Sequence, residues 1–197
     1  MTARVADASL SLAEWSVLGL LCEGDAHGWL LVRALAPDGE IGSVWTVRRA
    51  LVYRSIDVLE GAGLIVAARS EASPRGPERS IYSPTRRGRT AVRRWLEEPV
   101  LHVRDLRSAL LLKLVLGRRA GVGQRQMLEE QARVLGEIEA SLTAKRAEVD
   151  GTEELLLAFR LETTRAASRF VDARLNTKAA PRAVETAFDA EWPISHT

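Results

Sequence analysis

The stretch Trp45 to Ile65, WTVRRALVYRSIDVLEGAGLI, constrains the fold more than any other part of the chain, because its two helical faces need different surroundings. At about 100° per residue, Leu51, Val52, Ser55, Ile56, Val58 and Leu59 fall on one arc, and Ala50, Tyr53, Arg54 and Asp57 fall on the opposite one. The first arc needs a core; the second meets solvent or a ligand. Arg48 and Arg49 stand at the helix entrance, where unpaired backbone N–H groups and the positive end of the dipole already favour an anion such as phosphate. Gly61 and Gly63 stop the helix, and Leu64-Ile65-Val66 begins a strand. A recognition helix feeding a winged hairpin has this order.

The net charge of the 197-residue chain is only +2, so the total identifies no partner. Its distribution is more informative. Between Thr46 and Trp95 there are eleven arginines (48, 49, 54, 69, 75, 79, 86, 87, 89, 93 and 94) against four carboxylates (57, 60, 71 and 78), a local +7. Positive potential concentrated on one segment is what a polyanion-binding surface requires. A hydrophobic fraction of 46% is ordinary for a globular protein with a real core. A single cysteine, Cys22, excludes an intrachain disulfide. Without a signal-peptide core or a long apolar run, the expected location is the cytoplasm.

Before the central stretch, residues 1–9 read as a flexible arm. Ser11-Leu12-Ala13-Glu14 then forms a capping box with Leu10 and Trp15 as its hydrophobic staple, so a helix starts at Ser11, with Trp15, Leu18, Leu21 and Cys22 on one side. Glu23-Gly24-Asp25 ends it, His27-Gly28-Trp29 is a short extended link, and a second helix runs from Leu30 to Ala36. After the central helix, Leu64 to Ala72 and Arg79 to Ser83 read as the two strands of a wing, with Ser73 to Glu78 as a longer loop. Arg69, Arg75 and Arg79 cluster at that loop. Thr85 can cap a helix from Arg86 to Glu98, and Pro99 closes a winged domain spanning residues 10–99; a chain ending near Val100 is expected to fold around Trp15, Leu18, Ile56 and Leu59.

Beyond Pro99 helical periodicity takes over. Leu106 to Leu116 is a short apolar helix closed by Gly117. Gln124 to Val149 spaces Leu128, Leu135, Ile138, Leu142 and Val149 in steps of three and four, with Gln131 and Lys145 as polar intruders on the stripe. After Asp150-Gly151-Thr152, the residues Leu156, Phe159, Thr163, Ala166, Phe170 and Ala173 repeat the spacing. Two long helices joined by a tight turn pack antiparallel, and one such hairpin leaves apolar surface that a second copy of the chain would cover. Residues 100–176 are thus a helical dimerisation domain, and residues 177–197 a flexible tail.

The chain resembles the PadR family of bacterial transcriptional regulators. The matching stretches are LSLAEWSVLGLL with HGWLL, then VYRSIDVLEGAGLI, RSIYSPTRRGR, and SALLLKLVLG, the last opening a C-terminal domain like that of the virulence-activator branch. The family usually has Ser at the helix entrance and Gly-Thr before Leu-Tyr; here Arg48 and Ala50-Leu51 stand before Val52-Tyr53. Pro84 replaces the usual leucine of the second wing strand, so that strand is expected to end one residue early. The resemblance implies a mainly α, dimeric winged-helix repressor whose affinity for a pseudo-palindromic operator often responds to a small molecule.

The expected DNA-contacting residues are Thr46, Arg48, Arg49, Ala50, Tyr53 and Arg54 at the central helix, Arg75 and Arg79 on the wing, and Arg86 after it. Trp15, Trp29, Trp45 and Trp95 are expected mainly in cores and joints. An apolar or aromatic effector is expected between the winged domain and the hairpin, against Trp95 and Leu110. His27, His102 and His196 lack metal-ligand spacing, and no Walker loop, dinucleotide fingerprint or nucleophile elbow occurs, so neither cofactor nor catalysis is expected. The competing reading is a winged-helix protein-interaction module that never touches DNA, which a salt-dependent shift of generic duplex would exclude.

Overall fold

The first helix, α1 (Leu12–Glu23), starts where its capping box requires: the Glu14 amide donates to Ser11 Oγ at 3.4 Å, and the Ser11 amide donates to Glu14 Oε2 at 2.5 Å. The computed structural model describes residues 10–39, 41–73 and 76–177; the expected arm at 1–9 and the tail beyond 177 lie outside them. α1 is not amphipathic. All nine residues from Ala13 to Cys22 other than Glu14 are buried, which makes this helix the axis of the core instead of a one-sided cover.

Strand β1 (Ala26–His27) and helix α2 (Gly28–Ala34) follow, with His27 Nδ1 accepting from the Leu30 amide at 3.3 Å. His27 therefore caps α2, which starts two residues before the expected Leu30. The central helix is α3 (Arg49–Gly61). Strands β2 (Ile65–Ser73) and β3 (Gly76–Pro84) form the wing, and β1 adds a third antiparallel strand, in the order β1-β3-β2. Two expectations change here. Pairing continues to Ser73↔Gly76, so the expected long loop is mostly strand, and Pro84 stays in the ladder opposite Ile65. A proline is tolerated at that last position because β1 reaches only to Tyr82, leaving no third strand beside Pro84.

Helix α4 (Arg86–Glu97) is capped by Thr85, whose Oγ1 accepts from the Gly88 amide at 3.0 Å. A 3-10 turn (Val103–Asp105), a π turn (Leu106–Leu110) and α5 (Leu111–Arg119) follow; Gly117, expected to end this segment, lies inside α5. The last two helices are α6 (Arg125–Arg146) and α7 (Gly151–Asn176).

The chain divides into two units. The first contains the described residues through Leu96 together with Leu112–Val122. Its core joins Trp15, Leu18 and Leu21 of α1 to Val52, Ile56 and Leu59 of α3, Val92 and Trp95 of α4, and Leu112 and Leu116 of α5. The expected boundary at residue 99 leaves out those last two residues. Arg119 fastens the returning helix, with Nε 2.7 Å and Nη2 2.6 Å from the two carboxylate oxygens of Glu23. Lys113, also buried, donates to the Trp95 carbonyl and sits 4.5 Å from the centre of its ring.

The second unit contains Glu97–Leu111 and the α6–α7 pair. The two helices run antiparallel: Arg165 Nε is 2.9 Å from Glu139 Oε1, and Arg146 Nε 2.6 Å from Glu154 Oε1 near the turn. Gln131 is fully buried, and its amide accepts from Val100 N at 2.6 Å and donates to Val100 O at 3.0 Å. Lys145, the other intruder, is exposed. The expected stripe on α7 is the outward one: Leu157, Leu161, Thr164 and Val171 are buried, while Leu156, Phe159 and Phe170 are 53%, 73% and 39% exposed.

Candidate nucleic-acid interface

Three anchors hold α3 before any side chain reaches outward. At its entrance the Val47 amide donates to Leu35 O at 3.1 Å, tying the preceding turn to the end of α2. Along its inner face Val52, Ser55, Ile56 and Leu59 are buried, and α1 packs against it. This arc is narrower than the sequence suggests, since Leu51 and Val58 are each 40% exposed and border it. At its exit Gly63 turns the chain with φ of 68°, Arg87 Nη1 donates to Ala62 O at 2.8 Å, and Thr85 donates its amide to Leu64 O at 2.9 Å. A cation on the last carbonyls also complements the negative end of the dipole. Arg87 is thus spent on positioning the helix.

Arg48 is the N-cap residue and makes no side-chain cap bond, so its guanidinium is not used to close the helix. Arg49 opens the first turn and lies 5.8 Å from the centre of the Tyr53 ring. Ala50, Tyr53, Arg54 and Asp57 are exposed, as the opposite arc requires. Among the described residues Arg48 and Arg54 have no ion-pair partner. Thr46 is exposed but donates Oγ1 to Gly42 O at 2.7 Å, which shapes the turn before α3. The face presented by α3 therefore carries three guanidinium groups, one phenol and the carboxylates of Asp57 and Glu60, at a helix start whose backbone N–H groups favour anions.

The remaining expected residues stand on other elements. Arg79 is exposed on β3 opposite Glu71, and Arg86 is exposed at the start of α4. Arg75 lies outside the described residues. Arg69, expected to join Arg75 and Arg79, instead approaches Asp25, Nη1 to Oδ2 at 3.5 Å. Arg89 donates to Cys22 O at 3.4 Å. Several charges of the local +7 are therefore engaged by other groups of the protein. Trp95 and Leu110, expected to meet an effector, are both buried. Trp95 stacks on Trp15 with ring centres 5.0 Å apart and planes 9° from parallel.

One contact at this face was not visible as such in the sequence. Gly28 is buried beneath Tyr53, and a Cβ built on it would fall 2.6 Å from Tyr53 Cε1. The signal was the glycine of HGWLL, placed where a helix would sooner have alanine.

These elements, a three-helix core with an exposed second helix of the pair and a hairpin behind it, define a winged helix-turn-helix. Residues 17–94 match the family described as "Transcriptional regulator PadR-like family". The chain is 30% identical over 96 residues to the probable transcriptional regulator Rv1176c of Mycobacterium tuberculosis, a match covering 49% of each protein, so it spans about half the length of that relative. Among solved structures it is similar to Bacillus subtilis PadR in complex with operator DNA, with 17% identity over 84% of this chain and 98% of that one and a TM-score of 0.44. It is also similar to smu.1604c from Streptococcus mutans UA159, with 18% identity over 82% and 97% and a TM-score of 0.39. No described helix is long and apolar enough to cross a membrane.

Proposed function

We propose that this protein is a cytoplasmic, DNA-binding transcriptional regulator, acting as a homodimer that represses from a pseudo-palindromic operator. The observation that carries the reading is the outward face of α3, where Arg48, Arg49, Tyr53 and Arg54 stand exposed on a helix anchored at both ends. Such a helix enters the major groove, with arginines on phosphates supplying affinity and side chains on base edges supplying selection. Thr46, Ala50, Arg75, Arg79 and Arg86 belong to the same proposed surface. The outward stripe of α7, with Leu156 and Phe159 more than half exposed, supports a second copy of the chain as its cover. A dimer presents two recognition helices to successive grooves.

Release by an apolar effector is a further part of this reading; the effector must bind one dimer geometry better than another. The test of the whole is titration of a fluorescent generic duplex at several salt concentrations, followed by sequencing of genomic fragments retained by the purified protein. A salt-dependent shift and a recurrent inverted repeat are expected. Absence of any duplex binding at low salt overturns the reading and favours a protein-interaction module.

A further inference from the structure

Trp29 stands out among the tryptophans of the described residues because it is 48% exposed on a helix that also leaves Leu30 46% exposed. An indole at the surface is ordinarily free to turn, but this one is braced. The Arg33 guanidinium lies 5.1 Å from its ring centre, and the His27 ring lies 6.0 Å away, centre to centre. His27 is itself held, its Nδ1 accepting from the Leu30 amide. The residue between them, Gly28, is the one buried under Tyr53. Trp29 and Arg33 therefore stand on the exposed side of α2, one and five residues beyond the glycine that Tyr53 covers.

We infer that Trp29 and Arg33 form a second contact of the same DNA surface, seated on the sugar-phosphate backbone flanking the groove that α3 enters. The inference rests on the proposed DNA-binding function and extends it to a helix that function did not use. An indole N–H donates to a phosphate oxygen and its ring covers a deoxyribose, while the stacked guanidinium neutralises the phosphate. The first helix of a helix-turn-helix pair crosses the backbone, so contacts there set register and carry no base information. A protein partner is the less favoured occupant: only Trp29 and Leu30 are apolar and exposed on this seven-residue helix, its one charged residue, Arg33, is positive, and the helix packed against it, α3, opens with the exposed Arg48 and Arg49.

The experiment is a fluorescence-anisotropy titration of the full chain with a labelled duplex of arbitrary sequence and with a selected operator fragment. It compares Trp29→Ala, Trp29→Phe, Arg33→Ala and Arg54→Ala, each with a thermal melt to show that it folds. Trp29→Ala should weaken both duplexes alike by about tenfold, the loss of one hydrogen bond to a charged group. Trp29→Phe should fall between it and wild type, and Arg33→Ala should reduce the slope of log K against log salt by about one. Should Trp29→Ala not fold, the phenylalanine and Arg33 variants carry the same comparison. Wild-type affinity in the Trp29 variants with an unchanged salt slope in Arg33→Ala, while Arg54→Ala weakens binding, overturns this inference and leaves the proposed function intact. A loss confined to the operator fragment overturns it as well, since that marks base reading. A wild-type chain that binds neither duplex ends both.

Discussion

Gly28 and Tyr53 are in contact with no room for another carbon: a Cβ on Gly28 would sit 2.6 Å from Tyr53 Cε1 and 3.3 Å from its hydroxyl oxygen. The two residues belong to the two helices of the helix-turn-helix, so their spacing sets how closely α2 and the outward face of α3 lie together. Tyr53 is 39% exposed and its ring can swing outward, whereas a backbone obstacle cannot move.

This separates two glycine substitutions. Gly28→Ala should displace the Tyr53 ring with a stability change within about 1 kcal/mol, because the helix gains propensity as the contact tightens. Duplex affinity should nevertheless fall. Gly88→Ala places its Cβ 2.1 Å from the Leu64 carbonyl oxygen, and should cost about 1–3 kcal/mol or more. Denaturant melts and duplex titrations of both variants check this; equal stability losses would contradict it.

Arg49 and Arg54 should each matter for DNA, one at the helix start and one on its exposed face. Either alanine substitution should cost about 1–3 kcal/mol at a preferred sequence if the residue reads a base, and a uniform loss across sequences if it contacts phosphate. A double variant with wild-type affinity would show that α3 does not face the DNA.

Leu116 is 2% exposed in the core of the first unit, and its Cδ1 is 2.8 Å from where a Gly19 Cβ would be. Leu116→Ala should destabilise the full chain by about 2–5 kcal/mol. A chain ending at Val100 also loses Leu112 and the Arg119–Glu23 pair, so it should fold poorly instead of surviving as an independent domain. Circular dichroism of the fragment decides; a cooperative melt at the full-length temperature would overturn the expectation.

Much of the first unit was legible because local chemistry and tertiary demand agree there. The Ser11 box, the two arcs of α3 and the Thr85 cap each follow from side chains a few residues apart. The second unit was less legible for a physical reason. α7 carries apolar residues in two phases, Leu157, Leu161 and Val171 in one and Leu156, Phe159 and Phe170 in the other, and spacing alone does not say which phase faces its own hairpin. Gln131 reads as an interruption until the backbone of Val100 supplies both its partners. The intramolecular use of Arg69, Arg87 and Arg89 was equally hidden, since their partners lie 25 or more residues away in sequence.

The outward phase of α7 yields a test of assembly. Phe159→Glu, at a residue 73% exposed in the single chain, should leave the fold intact but convert a dimer to monomers by burying a charge at the interface. Duplex affinity should drop with it, because the second recognition helix no longer acts at high effective concentration. Sedimentation of wild type and variant reads the outcome; an unchanged dimer would move the interface elsewhere.

Cys22 offers a pH test. Burial pushes its thiol up to about 12, Arg89 opposing and Glu23 adding to the shift. A pKa raised above the unfolded 9.0 means that the contribution of this group to stability is full below pH 9 and is lost as pH rises from 9 towards 12. Iodoacetamide at pH 8 should therefore leave the native protein unlabelled and modify it only in denaturant. Rapid labelling of the native chain would show that the core around α1 opens readily.

The return of α5 into the first unit bears on biosynthesis. A ribosome that has delivered residues as far as Pro99 has emitted the recognition helix and the wing, yet Leu112 and Leu116 are still inside the exit tunnel. The winged unit therefore stays incomplete until part of the second unit has already emerged. Its folding is postponed relative to a domain of contiguous chain, and grafting it onto another protein requires a fragment that runs through residue 122.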